Sequence, residues 1–175
     1  MFVLGIDPGL SRCGYGCVRS DGARRHAVAA GVITTAVEDS VPFRLAALRA
    51  ELNKLFSELE PDVVAVERVF FQTNVRTAMS VGQASGVALL TAVELGCEVA
   101  EYTSNEVKLA VTGFGAATKD QVQRMVARLL DLDTVPRPPD AADALALALC
   151  HLSTAPWSRP PREVAAGRSP RAGRP

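Results

Sequence analysis

The sequence has few of the residues that mark extracellular, zinc-binding or membrane proteins. Its 175 residues include only four cysteines and two histidines. The cysteines form no CxxC pair and have no histidine at zinc-ligand spacing, so we expect reduced thiols in a cytoplasmic protein. The longest charge-free apolar stretch, 77–93, contains serine and glutamine and is too short to cross a bilayer. The start MFVLGI lacks the basic region of a secretory signal, so neither membrane insertion nor secretion is predicted.

The chain also has no excess of charge of either sign. It carries 19 basic and 19 acidic residues, but residues 153–175 hold five Arg and one Glu, a net of +4 that leaves −4 on residues 1–152. Bulk charge therefore does not indicate a nucleic-acid-binding protein. With 48% hydrophobic and 22% charged residues, the composition is that of a globular protein. We predict one domain over 1–152 and a disordered basic tail, rich in Pro and Arg, over 153–175.

The first half of the chain predicts a sheet with helices between its later strands. FVLGID, GYGCVRS and RRHAVAAGVITT are apolar runs separated by turn residues and predict an antiparallel meander. Leucines at three- and four-residue steps between Ser40 and Pro61 predict a helix. The β-branched run DVVAVE then predicts a buried parallel strand.

The second half predicts mostly helices. A helix over 74–95 precedes a fifth strand, CEVAEY, and capping boxes begin two more helices at Thr103 and Thr118. The last helix, DAADALALALCHL, is apolar on all sides, which predicts burial, and its His151 is expected to be a cation at the helix end. The order βββαβαβααα predicts an α/β fold: a mixed five-stranded sheet, three antiparallel strands and then two parallel ones, with helices on both faces.

Four carboxylates are the strongest indication of chemistry. Asp7 and Glu67 end predicted strands, and Asp140 and Asp143 lie three residues apart on the last helix and so share one face. Singly, each has an ordinary structural interpretation as a turn residue, a solvated strand end or a helix cap. Crowded together, four carboxylates repel one another and require cations. An all-oxygen ligand set suits Mg²⁺ or Mn²⁺, and two such ions can activate a water against a phosphodiester.

Several separate segments resemble the RuvC family of bacterial Holliday junction resolvases. They occur in the family's order and spacing between residues 2 and 152: GIDPGLSRCGYG, AVERVFFQTNVRTAMSVGQASGV, GFGAATKDQVQRMV and DAADALALA. The resemblance implies a ribonuclease H-like fold, a homodimer and Mg²⁺-dependent paired nicking of four-way DNA junctions that leaves 5′-phosphate and 3′-hydroxyl ends. It also implies cooperation with the branch-migration proteins RuvA and RuvB.

The resemblance assigns roles to individual residues as well. The family's catalytic and metal-binding acids, which hold two Mg²⁺ ions or Mn²⁺ in their place, match Asp7, Glu67, Asp140 and Asp143. Basic positions that contact DNA near the cut phosphate match Lys108 and Lys119, where a cation can offset developing charge. The ordinary alternative for a surface lysine is simple solvation.

An aromatic pair and an arginine are further DNA-binding candidates. Phe70 and Phe71 follow Glu67, and two adjacent side chains seldom both point inward. One of them is therefore expected to stack on an unpaired base, and the resemblance favours Phe70, whereas core packing is the alternative. Arg76 is a weaker candidate for a backbone contact. The small residues of 78–90 allow close helix approach, and the resemblance places the dimer contact there.

Three other functions compete with the resolvase. GIDPGLSRCGYG also resembles the first phosphate loop of actin-like ATPases, but those need two related domains and a second Asp-Gly-Gly motif, which this chain lacks. A junction-binding protein without activity would gain nothing from four repelling carboxylates facing phosphates. A ribonuclease of the same superfold acting on ribosomal RNA precursors is the nearest rival, and the Phe70-Phe71 pair and the GFGAATK loop favour DNA junctions over it.

Overall fold

The computed structural model describes residues 1–22, 24–68 and 75–155, with the side chains of residues 75 and 76 excepted. One mixed sheet of five strands forms its centre. The strands are β1 (Phe2–Asp7), β2 (Arg12–Asp21), β3 (Arg24–Thr34), β4 (Val63–Glu67) and β5 (Glu98–Tyr102). Their spatial order is β3-β2-β1-β4-β5. The first three pair antiparallel, whereas β4 is parallel to both β1 and β5, as predicted.

Five helices follow the predicted order. They are α1 (Val41–Leu59), α2 (Val75–Glu94), α3 (Ser104–Thr112), α4 (Lys119–Leu129) and α5 (Pro139–Thr154). The side chains of Thr103 and Thr118 each accept a hydrogen bond from the backbone N–H three residues on. In return, the side chains of Glu106 and Gln121 accept hydrogen bonds from the backbone N–H groups of the two threonines. Both capping boxes are therefore confirmed, because the local sequence satisfies the free N–H groups at these helix starts.

The helices form a layer on each face of the sheet. Leu48, Leu52 and Phe56 of α1 pack with α2 against one face. Helices α3, α4 and α5 cover the other face, and ten residues of α5 are buried there. The prediction of helices on both faces is confirmed, and α5 is the most central of them because its apolar surface runs all the way round.

The end of α5 corrects one expectation. His151 is buried, and its Nδ1 lies 2.8 Å from the Tyr102 hydroxyl. Burial lowers the pKa of His151 below its usual value, so the ring is neutral and not the helix-end cation expected from sequence. The helix itself includes Ser153 and Thr154, and the rest of the predicted tail, from residue 156, lies outside the described residues.

All four cysteine thiols are free. None of the helices in the described ranges has the length and hydrophobicity needed to cross a membrane.

Candidate active site

Two neighbouring strands place the first pair of carboxylates. Strands β1 and β4 are parallel and adjacent, so Asp7 and Glu67, their last residues, meet at one edge of the sheet. Side chains alternate between the faces of a strand. Val3 and Ala65 belong to the core under α3, α4 and α5. Asp7 and Glu67 follow them at even spacing and therefore lie on that same face.

Helix α5 brings the second pair close because the strands beneath it carry glycine. A Cβ on Gly14 would lie 2.3 Å from the carbonyl oxygen of Asp140, and one on Gly5 would lie 1.9 Å from that of Ala144. The helix thus rests on strand backbone with no side chain between them. This close approach places Asp140 and Asp143 in the first turns of α5 beside the strand ends.

The clustered charge is visible in Asp7. Burial, followed by the charges of Glu67 and Asp143, a hydrogen bond with Glu67 and the charge of Asp140, raises the pKa of Asp7 from 3.8 to about 7. An ionised carboxylate is disfavoured in such a place both by the loss of water and by like charges. Burial and the three neighbouring acids therefore both favour the protonated form of Asp7.

Each of the other three carboxylates has a partner. Asp140 accepts hydrogen bonds from Arg12, at 2.9 Å from Nη2 and 3.2 Å from Nε, which lower the pKa of Asp140. Asp143 forms an ion pair with Lys119, 2.5 Å from Nζ, and this contact raises the pKa of the lysine. Glu67 accepts a hydrogen bond from the Ser104 hydroxyl. Arginine, lysine and serine thus stabilise the carboxylates.

These residues border a cleft of about 420 Å³. Asp7, Glu67 and Asp143 line it together with Ser104 and residues of α3 and α4, among them Lys108 and Lys119. Asp140 does not line the cleft. It lies near Asp7, because its charge contributes to the raised pKa of that residue. The cleft therefore offers acidic groups on the sheet and α5 side and two lysines on the helices opposite.

Comparison with known proteins identifies the family. The chain matches the family "Crossover junction endodeoxyribonuclease RuvC" over residues 3–151. It belongs to the RuvC family. A curated member from Moorella thermoacetica is 50% identical over 94% of this chain and 99% of its own length. Another from Salinispora arenicola is 54% identical over 87% of each.

Solved RuvC structures share the fold. Thermus thermophilus RuvC is 37% identical over 87% of this chain and 93% of its own, with a TM-score of 0.80. The same protein in complex with Holliday junction substrate has a TM-score of 0.83 at the same identity and coverage. The yeast mitochondrial resolvase Ydc2 is only 15% identical, with a TM-score of 0.62, and shows the fold alone. The chain is thus a crossover junction endodeoxyribonuclease of the RuvC Holliday junction resolvase family, with the predicted ribonuclease H-like architecture.

The structure places six of the eight residues predicted for this RuvC site. Four carboxylates come together, and both lysines line the cleft beside them. Phe70, with Phe71, falls outside the described residues, and Arg76 belongs to α2 but its side chain is likewise outside them. The roles of all eight residues stay predictions.

Two residues of the RuvC site were missed by sequence reasoning. Arg12 binds an acid 128 positions away, and Ser104 binds one 37 positions away. The only local signals were that Arg12 lies in GIDPGLSRCGYG, the motif that contains Asp7, and that Ser104 follows a helix cap. Neither signal indicates a partner, because the pairing exists only once the sheet and helices assemble.

The residues suit a divalent cation, although they do not form a ready ligand set. Among the described residues, no three His, Cys, Asp or Glu side chains are arranged to hold a metal ion. Three of the carboxylates are instead engaged in ion pairs with Arg12 and Lys119 and in a hydrogen bond with Ser104. The donors are all carboxylate oxygens, and the pKa of Asp7 is raised by burial and, after that, by the nearby negative charges of the other three acids. Both features are those of a Mg²⁺ or Mn²⁺ site.

Proposed function

We propose that this RuvC-family protein resolves four-way DNA junctions by cutting two symmetrically related phosphodiester bonds with metal ions. One observation carries the proposal: carboxylates from β1, β4 and α5 converge on one cleft whose opposite wall holds two lysines. The solved complex of T. thermophilus RuvC with Holliday junction substrate, from a protein 37% identical, supports the choice of DNA.

The four acids have the chemistry to hold the metal. Asp7, Glu67, Asp140 and Asp143 would bind two Mg²⁺ ions, for which Mn²⁺ can substitute, and their four charges balance two divalent cations. When bound, such ions supply an activated water and stabilise the leaving 3′-oxygen, which gives 5′-phosphate and 3′-hydroxyl ends that a ligase can seal. The acids themselves fix where the cut phosphate must lie, at the strand ends.

The basic residues would hold the DNA. Lys119 forms an ion pair with Asp143. If Asp143 held a divalent cation together with the other acids, Lys119 would be free to contact the phosphate, with Lys108 also on the cleft wall. Arg76 would bind backbone phosphate, and Phe70 would stack on an unpaired base at the junction centre.

A homodimer would explain two cuts in one junction, and α2 presents a suitable surface. Ala84, Ala88 and Ala92 of α2 are buried against the sheet. Its outer face carries a stripe at helical spacing that is apolar or without side chains and is exposed to solvent: Met79, Gly82, Gly86, Leu90 and Val93. Within the described part of the chain, and apart from the helix's own backbone, no atom lies within 4 Å of a Cβ built on either glycine. We define these five residues as the α2 stripe and propose that it packs against a second copy.

The wider setting follows from the family. RuvA and RuvB are the partners we propose for presenting the junction, in the cytoplasm, where the four free thiols stay reduced. Cooperation with them would be seen as faster cleavage of junctions bound by RuvA and RuvB.

The decisive experiment offers purified protein a synthetic four-way junction, a linear duplex of the same sequence and a structured RNA, with Mg²⁺, Mn²⁺ or EDTA. We expect paired nicks on the junction alone, only with metal, and loss of at least about a thousand-fold in rate in Asp7→Asn. Asp39→Asn, an exposed acid in a loop, is the matched control and should cut normally.

The other outcomes separate the competing functions. Tight junction binding without cleavage in either metal would favour a binding protein. Cleavage of the RNA in place of the junction would favour the related ribonuclease. Ends carrying 3′-phosphate would contradict the proposed chemistry even if junctions were cut.

A further inference from the structure

The loop between α3 and α4 carries a solvent-exposed aromatic ring, that of Phe114. Phe114 is 60% exposed. An exposed ring by itself is common, since Phe43 on α1 is 71% exposed, and it is the position of Phe114 that gives its ring a possible role. The carboxylate chemistry of the cleft gives this ring no role, and none of the predicted DNA contacts includes it.

The backbone beneath Phe114 is fixed. Its N–H donates to the Thr112 hydroxyl at 3.1 Å, and its carbonyl accepts from the Ala117 N–H at 3.0 Å. Ala117 is buried in the core, and Gly113 takes the left-handed conformation that ends α3. The ring is therefore presented by an ordered turn, so little conformational entropy is lost when it binds.

The same hydrogen bonds connect Phe114 to the end of α3, the helix whose Lys108 lines the cleft. The Thr112 hydroxyl that accepts from Phe114 also donates to the carbonyl of Lys108, at 2.7 Å, and Lys108 lines the cleft. Four residues after Phe114, the loop reaches the cap of α4, whose first residue is Lys119. An exposed ring thus lies on the segment joining the two helices that supply the cationic wall.

We propose that Phe114 stacks on a nucleobase next to the cut phosphate. Lysines that attract the sugar-phosphate backbone beside an aromatic ring that receives a base are the combination that binds unpaired nucleotides. The inference rests on the proposed junction cleavage and adds to it a second base-stacking subsite, on the loop between α3 and α4, separate from the one proposed for Phe70 at the junction centre. Stacking would hold the strand in place and would tolerate any base, with a preference for the larger purines.

Phe114→Ala tests the subsite, and the chain offers a matched control. Phe43 is 71% exposed on α1, which packs on the opposite face of the sheet, so Phe43→Ala removes an equal ring from a surface away from the cleft. Binding is measured with junction DNA in an Asp7→Asn background with Mg²⁺, and cleavage in the otherwise unchanged protein. The cut site is first mapped with wild type, and single abasic nucleotides are then placed on each side of it.

We expect Phe114→Ala to weaken junction binding by about five- to a hundred-fold, the range found for loss of one stacked base, and Phe43→Ala to change it less than two-fold. Phe114→Tyr should keep wild-type binding. At one flanking position, an abasic nucleotide should weaken junction binding by wild type by a similar factor. The same abasic nucleotide should cause no further loss of binding by Phe114→Ala. That coupling identifies a direct contact.

Three results would overturn the assignment. Equal junction binding by wild type and Phe114→Ala would show that Phe114 stacks on no base. If each abasic nucleotide weakened junction binding by wild type and by Phe114→Ala to the same extent, the ring would contact no base next to the cut. A shift of Phe114→Ala to monomer in sedimentation would instead place the ring in a contact between copies. Cleavage of the unmodified junction by wild type tests the proposed function separately, so failure of either idea is recognised by itself.

Discussion

At the scale of single residues, Asp7 differs from the neighbouring acids because their charges are stabilised by partner side chains. Arg12 and Lys119 neutralise Asp140 and Asp143, whereas the Asp7 carboxyl is buried among like charges and has its pKa raised to about 7. The metal-free protein therefore holds Asp7 largely protonated over much of the pH range in which surface aspartates are ionised. A bound divalent cation would reverse this, because it favours the ionised form.

The raised pKa of Asp7 predicts a pH dependence of stability. The pKa of Asp7 is higher in the folded than in the unfolded chain, so the folded state binds more protons between pH 4 and 7 and loses stability as pH rises through that window. Asp7→Asn removes the loss. In EDTA, we expect the variant to gain free energy of unfolding over wild type as pH rises from 4 to 8. At about 1.4 kcal/mol per pH unit, the gain is at most about 4 kcal/mol.

Urea unfolding at several pH values measures the difference, with Asp39→Asn as the exposed control. A difference between wild type and Asp7→Asn that stayed constant with pH would contradict the raised pKa of Asp7. Saturating Mg²⁺ should abolish the advantage of the variant, since only wild type keeps the full carboxylate set.

At the scale of secondary-structure elements, the site depends on how closely α5 approaches the sheet. Gly5, Gly14 and Gly16 lie under the helix, and Gly5 pairs with Gly16 across the first two strands. Together they form a bare strip of backbone. A Cβ at any of the three would meet helix backbone at 2.6 Å or less. The glycines therefore set the distance from Asp7 to the acids of α5.

Gly14→Ala should consequently affect both folding and the site. The new methyl group would meet the backbone of Asp140, which can move only with α5. We expect a loss of about 1–3 kcal/mol in the free energy of unfolding and a fall in junction cleavage beyond that expected from the folded fraction. Urea unfolding and cleavage rates at saturating Mg²⁺ measure the two effects.

Gly31→Ala is the comparison, because the strand position is similar but the added methyl would meet only the ring end of Tyr15. A side chain can give way where a helix backbone cannot. Equal losses in the two variants would show that the spacing of α5 is not set at Gly14.

At the scale of the whole molecule, the candidate site among the described residues would make one cut, so the proposed paired cuts would need two chains. The α2 stripe is the surface we propose for that contact. Its glycines leave room for close approach, and its apolar side chains would be covered. A two-fold axis through it would make the two active sites equivalent.

Gly86→Leu separates dimerisation from folding. Because no atom of another described element lies within 4 Å of a Cβ built on Gly86, we expect leucine to be accommodated in the single chain, and leucine also has the better helix propensity. We expect the variant to fold and to sediment as a monomer at micromolar concentration, where wild type is a dimer, and to lose paired cleavage. Ala50→Leu, on the exposed side of α1, is the matched control and should remain a dimer. A Gly86→Leu dimer with wild-type stability would exclude the α2 stripe as the contact.

The sequence by itself determined the elements and the residue types of the site. Apolar and β-branched runs bounded by turn residues predicted the five described strands, leucine spacing and capping residues predicted helices, and two strand-ending acids with two helical acids predicted the carboxylate cluster. The signals for the strands and helices are readable because each depends on residues within a few positions of one another.

Only the tertiary structure decided which distant groups meet. The pairing of Arg12 with Asp140, the serine on Glu67 and the neutral, buried His151 all depend on helices packed against a sheet. So does the raised pKa of Asp7, which comes from burial and from three acids distant in sequence. Desolvation and Coulomb interactions depend on distances in space, and those distances are set when α5 settles on bare strand backbone.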